Sequence, residues 1–337
     1  MRSISTAIFA PFVQALAQNG IQEDLIFRRL NDLVELDVST AHRIELAAVY
    51  NILDLAVELT GNPEIGLDAY SYSHLGSLGA AGYAIMSSPT LGIAIERVAS
   101  YHPLATDGSR ITVERHTGVI RVSGFEEGMP HLPAPRSFLD AGAALFIGLM
   151  HWLVPHVKPL PLAAHFPYPK PADTQRLEQM FGSDLSFNAP HIMLIFSSEI
   201  FDLPLITADP ALELIHCHYA DAQLRAINGS PELQIRRYLS DAMPRGEPCT
   251  LEMAAAHLGK SARSLQNALE KEGTNFTYLQ DECRRLLART LLLDSSRSLK
   301  YIALTVGFRE LSSFHKACLR WFGASPAQLR EAKHSQP

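Results

Sequence analysis

Four cysteines in 337 residues are too few to frame a disulfide-built scaffold. Cys217, Cys249, Cys283 and Cys318 stand apart, with no Cys-x-x-Cys pair among them, which removes the common structural zinc sites. A Gly-rich phosphate loop and a Gly-x-Ser-x-Gly nucleophile elbow are both missing, so nucleotide-hydrolysing and serine-hydrolase readings have no motif to stand on. Long apolar runs are missing too. The longest, residues 141–154, is broken only by His151 and falls short of the roughly 20 residues that span a bilayer; it reads as a buried core helix. At the N-terminus, Arg2, the apolar stretch 7–13 and Ala15-Leu16-Ala17 imitate a signal peptide. The stretch is short and contains Pro11, and Ile4, Ile8, Phe12 and Leu16 recur every four residues as on one helix face, so a helix is the better reading. These absences point to a cytoplasmic protein with reduced thiols and no membrane partner.

What is present supports a folded chain. Apolar residues make up 47% and charged residues 19%, enough to bury a core, and the length suggests two domains. The net charge of −6 hides a split. Residues 1–230 carry 13 Lys and Arg against 24 Asp and Glu, while residues 231–337 carry 16 against 11. A basic end on an acidic body suggests a polyanion-binding module attached to a larger domain.

Periodicity places helices at 42–60, 75–86, 91–101, 133–152, 173–181 and 209–227, and strands at 110–115, 119–125, 160–166 and 192–197. In the last of these helices Leu212, Ile215, Tyr219, Ala222 and Ala226 share one face, which either packs into its own core or forms a dimer seam. Mixed helices and hairpin-type strands give an α+β domain. Asn228-Gly229-Ser230-Pro231 is a boundary signal, two turn formers followed by a helix cap and first turn. Beyond it every segment reads as helix: 233–243, 251–258, 261–272, 276–293, 299–306, 311–322, and one started by Ser325-Pro326-Ala327-Gln328. The expected fold is therefore an α+β N-terminal domain followed by an all-α C-terminal domain.

Within the C-terminal part a helix-turn-helix is legible. Ala255 allows close helix approach, Gly259 the tight turn, and Leu265 buries the second helix, which Ser261 caps. A similar unit recurs around Ile302, Ala303 and Gly307, with Phe314, Ala317, Cys318 and Trp321 as the buried face and a turn one residue longer. Between the units, 276–293 would make a helix about 27 Å long, suited to holding two recognition helices near successive major-groove turns about 34 Å apart. The outward faces then carry Arg263, Gln266 and Asn267 in the first recognition helix, and Ser312, Ser313 and Lys316, flanked by His315 and Arg320, in the second. Arg suits guanine O6 and N7, and Gln and Asn suit adenine N6 and N7, while flanking cations suit phosphate.

The segment Leu299-Lys300-Tyr301-Ile302-Ala303, Gly307-Phe308, Ser312 to Ala317, Arg320 to Pro326 and Leu329-Arg330 closely resembles the signature of AraC/XylS-type transcription regulators. Ala255, Ser261, Leu265-Gln266, Leu269 and Glu272-Gly273 fit the first half of that module. Residues 59–67, 79–83, 88–91, Phe181-Gly182 and Pro204-Leu205 are similar to the large N-terminal domain of a subgroup that includes ornithine-type catabolic regulators. The resemblance implies an effector-binding and dimerisation domain at 1–228 and a DNA-binding domain at 229–337. It implies promoter DNA, RNA polymerase, a small-molecule effector and a second copy as partners, activation more often than repression, and neither enzyme activity nor cofactor. Asn267 stands where a basic residue is usual, Cys318 where an aromatic is common, Leu329 for Tyr and Lys316 for Arg. These departures bear on grip and base choice, not on the fold.

Two rival readings carry other chemistry. The same DNA module occurs fused to alkyl-transfer repair domains, which need a reactive cysteine; Pro248-Cys249 is the only Pro-Cys here and has no evident partners. A regulator whose N-terminal domain binds no ligand is the other. His216-Cys217-His218 looks like a metal cluster, but adjacent helical residues point about 100° apart and cannot converge on one ion. The effector-binding residues are not assigned.

Overall fold

A computed structural model describes residues 2–22, 26, 43–126, 133–294 and 297–334. Backbone contacts gather the chain into two units, one drawn from Ser3–Gly128 and Ala134–Arg225, the other mainly from Ala226–Pro337.

The first unit runs β1 (Ser3–Ser5), α1 (Thr6–Gln18), β2 (Arg43–Glu45), α2 (Leu46–Thr60), α3 (Ala80–Met86), α4 (Leu91–Ala105), β3 (Ser109–His116), β4 (Val119–Glu126), α5 (Arg136–Leu153), β5 (Ala163–His165), α6 (Gln175–Phe181), β6 (Leu185–Ser186), β7 (Ile192–Ser197) and α7 (Pro210–Gly229). β1 and β2 form a small antiparallel pair. The main sheet has the order β3-β4-β7-β5-β6, antiparallel except between β5 and β6. Val122 lies opposite Leu194 and Ile120 opposite Phe196, and all four are buried in one core with Ala143, Ala144 and Ile147 of α5. α5 is buried on most of its surface, as its apolar run predicts. A 3₁₀ segment, Ile65–Tyr72, lies close along it. A Cβ on Gly66 would stand 2.0 Å from the Ser137 carbonyl oxygen, and one on Gly148 would stand 2.2 Å from Ser73 Oγ. Only glycine permits that approach.

Several expected elements change at their ends. The helix over 75–86 is broken at Gly79, whose φ of 56° and ψ of −133° suit glycine, leaving a 3₁₀ turn before α3. The strand over 160–166 contracts to β5 because Pro159 and Pro161 precede it, with Leu160 and Leu162 left exposed. The N-terminal stripe is cut, since Ile4 belongs to β1 while α1 buries Phe9, Phe12, Val13 and Leu16. α4 continues through Pro103 to Ala105.

α7 turns the expected stripe outward. Its packed side presents Ala220 and Cys217 to Ala80, Ala81, Ala84 and Tyr101. Glu213 pairs with Arg97, and Asp221 accepts from the Tyr101 hydroxyl at 3.0 Å. Leu212, Ile215 and Tyr219 are 45%, 61% and 59% exposed, which overturns the core reading of that face.

The second unit is α8 (Pro231–Ala242), α9 (Leu251–His257), α10 (Ala262–Lys271), α11 (Phe276–Asp294), α12 (Leu299–Thr305), α13 (Leu311–Phe322) and α14 (Pro326–His334). The starts follow their caps. Ser230 Oγ accepts from Leu233 N at 3.3 Å. Ser325 and Gln328 exchange the reciprocal bonds of a capping box, 2.9 and 3.3 Å.

Candidate nucleic-acid interface

α9 and α10 form the first helix-turn-helix. Thr250 Oγ caps α9 by accepting from Met253 N, and Ser261 Oγ caps α10 by accepting from Ser264 N, at 3.3 and 3.2 Å. Gly259 makes the turn in the left-handed region, φ 64°. Ala254 and Ala255 of α9 and Leu265 and Leu269 of α10 are buried with Ile235 and Leu239 of α8 and with Leu279 and Cys283 of α11. The opposite side of α10 leaves Arg263, Gln266 and Asn267 exposed.

α12 and α13 repeat the arrangement. Ser298 caps α12 by accepting from Tyr301 N at 3.2 Å. Gly307 turns the chain at φ 89°. Five residues separate α12 from α13 and four separate α9 from α10, the longer turn that the buried spacing predicts. Ile302, Ala303 and Val306 meet Phe314 and Cys318 over Ala288, Leu291 and Leu292. α11 is thus a shared spine whose two ends supply the floors of the two cores, with Leu287 touching both. Its 19 residues span about 28 Å.

On α13, Ser312, Ser313 and Lys316 are exposed and His315 is half-buried. Among the described residues, Arg263, Asn267, Ser312, Ser313, His315 and Lys316 have no hydrogen bond or ion pair from their side chains within the chain. Gln266 makes a long contact to Glu270, 3.4 Å. Arg320 differs: its Nη2 donates to Asp281 at 2.6 Å, and Trp321 Nε1 donates to the other Asp281 oxygen at 2.9 Å. One carboxylate on the spine therefore anchors α13 and pairs with one of its cations.

Three features of this face were not anticipated from sequence. Asp281 is one. Arg284 is another; its guanidinium lies 5.3 Å from the Phe308 ring centre and 3.5 Å from the Gly307 oxygen, steadying the second turn from the spine. Burial lowers the Arg284 pKa. The third is a pair of exposed leucines on α13, Leu311 and Leu319. Helical spacing sets Leu319 off the buried face, while Leu311, three residues before Phe314, stands at the start of the helix; neither is polar, so neither carries a sequence signal for a base or phosphate contact.

The first unit holds a partly buried ionic network centred on Asp140. Asp140, fully buried, accepts from the Tyr168 hydroxyl and from Arg136 Nε at 3.1 Å. Arg136 also donates to Glu64 at 3.2 Å and lies over the Tyr168 ring. Burial pushes the Asp140 carboxyl up to about 6 against the pull of those two donors. His151 Nε2 donates to the Pro159 oxygen at 3.1 Å, its Nδ1 lies 2.9 Å from the Tyr70 hydroxyl, and burial lowers its pKa. His216, Cys217 and His218 diverge: His216 reaches Ser87, Cys217 faces the α3–α4 core and His218 is exposed. Among the described residues no three His, Cys, Asp or Glu are grouped as metal ligands, and no helix is long and apolar enough to cross a membrane.

Residues 21–205 match the model of the N-terminal arabinose-binding domain of the AraC transcription regulator, and residues 254–332 match a helix-turn-helix domain. The chain belongs to the AraC family of transcription regulators. Among its relatives, the ornithine utilization regulator of Pseudomonas aeruginosa is 29% identical over 98% of this chain and 96% of its own length. The transcriptional regulator VirS of Mycobacterium tuberculosis is 24% identical over 85% of this chain and 84% of its own. The crystal structure of the regulator CdpR from Pseudomonas aeruginosa aligns with 92% of this chain and 99% of that one, at 20% identity and a TM-score of 0.45. The helix-turn-helix match begins inside α9 and ends inside α14, so it takes in α10, α13 and the spine between them.

Proposed function

We propose that this AraC-family regulator acts in the cytoplasm, binding promoter DNA through residues 229–337 and gathering a small-molecule effector and a second copy of itself through residues 1–228. The observation that carries the DNA reading is the pair of outward faces on one spine, with Arg263, Gln266 and Asn267 on α10 and Ser312, Ser313 and Lys316 on α13 exposed. In this reading Arg263 and Gln266 address base edges, Lys316 addresses base or phosphate, and His315 and Arg320 lie toward the backbone. RNA polymerase is the partner through which such a regulator activates.

The exposed face of α7 supports a homodimer. Leu212, Ile215 and Tyr219 cover two helical turns just before the DNA-binding part. Pairing two such faces would bury them and give two DNA modules a high effective concentration at repeated half-sites.

The effector reading rests on the match of the N-terminal domain to a ligand-binding family, and a thermal-shift screen against amino acids, fatty acids and small aromatics tests it against a regulator that takes no ligand. The repair-enzyme alternative is disfavoured by Cys249. Burial pushes its thiol up to about 11, and it donates to the Glu247 oxygen at 3.3 Å, an environment that works against the thiolate alkyl transfer needs.

The DNA reading is tested with two alanine variants. Gln266→Ala should cost about 1–3 kcal/mol on the specific duplex and relax one operator position. Lys316→Ala, if it meets phosphate, should weaken all duplexes alike and make the salt dependence shallower. Unchanged specific binding by Gln266→Ala would mean that α10 faces the DNA differently.

A further inference from the structure

α13 leaves two large apolar side chains in the open. Leu311, its first residue, is 40% exposed, and Leu319, two turns further on, is 54% exposed. Neither joins the core that Phe314 and Cys318 build with α11 and α12. The exposed residues of α10 have the opposite chemistry: Arg263, Ser264, Gln266, Asn267, Glu270 and Lys271 are all polar. The two helices therefore offer different surfaces to whatever they meet.

A recognition helix touches base edges from its N-terminal end. Leu311 stands at that end beside Ser312 and Ser313, whereas Leu319 lies in the C-terminal half. Major-groove edges are lined with donors and acceptors, and the one apolar group among them is the 5-methyl of thymine. A leucine has nothing to offer a purine edge or cytosine N4, and would strand those groups without a hydrogen bond. Against a methyl group it gains contact and excludes water from both.

We propose that Leu311 is a specificity-determining residue that packs against the 5-methyl group of a thymine in the half-site read by α13. This rests on the reading that α13 enters the major groove, and it adds what that helix selects: α10 chooses by hydrogen bonds, α13 in part by a methyl group.

The test uses the full-length protein and a duplex enriched from a random-sequence library. Each thymine is replaced singly by uracil, which deletes only the methyl. At one thymine of the α13 half-site, uracil should weaken binding about fourfold, the worth of burying one methyl. Leu311→Ala should bind the thymine and uracil duplexes equally, near the wild-type affinity for the uracil duplex. Leu319→Ala should keep the preference. Should the alanine variant lose helicity, Leu311→Gln, which keeps the side-chain length, must show the same indifference to the methyl. The proposal is overturned if no uracil duplex is weakened, if Leu311→Ala still prefers thymine, or if Leu319→Ala abolishes the preference instead. A library that yields no enriched sequence overturns the DNA reading itself, and this proposal with it.

Discussion

Asp281 holds Arg320 on the face proposed to meet DNA, and replacing it separates two roles for that arginine. Asp281→Asn keeps an oxygen for Trp321 Nε1, now 2.9 Å away, and removes one negative charge 2.6 Å from the guanidinium. The ion pair is open to water, with 64% and 41% of the two side chains exposed, so its loss should cost less than about 1 kcal/mol of stability. The effect on DNA should be larger. Each phosphate neutralised by a cation adds about 0.9 to the slope of log K against log salt. If removing Asp281 frees Arg320 to make one full phosphate contact, affinity scales as salt to the power of about −0.9 more steeply, which is at most about eightfold at 0.1 M and about fourfold at 0.2 M. Fluorescence anisotropy with a labelled duplex across 0.05–0.3 M salt reads both quantities. The expected result is tighter binding with a steeper slope, and no gain in the double variant Asp281→Asn/Arg320→Ala. Weaker binding would mean that Asp281 positions Arg320 for contact instead of competing with phosphate. An unchanged slope would place Arg320 off the DNA.

Replacing Ile215 and Tyr219 together with Glu should leave a folded monomer by sedimentation velocity, with weakened operator binding; a variant that stays dimeric would put the interface on another surface. Phe314 is fully buried at the centre of the second helix-turn-helix core, so Phe314→Ala should cost about 3–5 kcal/mol locally. Hydrogen exchange should then show lost protection in α13 with α10 unaffected, and equal loss in both would mean that the two cores unfold as one. Asp140 titrates near 6 when folded against its ordinary 3.8, so the folded state holds the proton more tightly. Its contribution is full below the unfolded value and fades as pH climbs through the folded one, so between about pH 4 and pH 7 wild type should lose up to about 3 kcal/mol relative to Asp140→Asn. Parallel stability curves for the two proteins would refute that account.

The C-terminal unit was legible in sequence because its signals are local. Ser261 three residues before the backbone amide it caps, Gly259 and Gly307 at positions needing positive φ, and Ser325 with Gln328 as a capping box each act within one turn of chain. The buried positions Leu265, Leu269, Phe314 and Cys318 follow helical spacing without reference to any distant partner. In the N-terminal unit the deciding contacts are remote. β1 finds β2 some forty residues away, and at three residues each they are too short to show alternation. β6 has two residues and exists because β5 lies beside it. The Asp140 network joins residues 64, 136, 140 and 168, which no spacing rule connects. For α7 the sequence left open whether the stripe faces its own core, for another reason. Its pattern was seen correctly, but the packed side is built from Ala220, Cys217 and a set of polar anchors, Glu213, His216 and Asp221. A helix held to its domain by small residues and hydrogen bonds can leave its most apolar stripe outside.

That inversion bears on how the two halves of the chain divide the work. A face of leucine, isoleucine and tyrosine left in water costs solubility, and large exposed patches of this kind mark interaction sites in soluble proteins. Here the same helix carries Arg97–Glu213 and Tyr101–Asp221 on its inner side, directional bonds that set its rotation about its own axis. Apolar packing alone would allow α7 to roll so that Ile215 and Tyr219 turned inward; the ion pair and the phenol bond forbid it, since either would leave a buried or half-buried charge without a partner. The polar inner face therefore specifies which apolar face is presented. If a second copy docks there, its register is inherited from α4, so a change at Arg97 or Tyr101 should alter pairing without touching the interface: Arg97→Met ought to loosen the dimer while leaving Leu212, Ile215 and Tyr219 intact, and a dimer of undiminished affinity in that variant would show that packing, not the ion pair, sets the rotation.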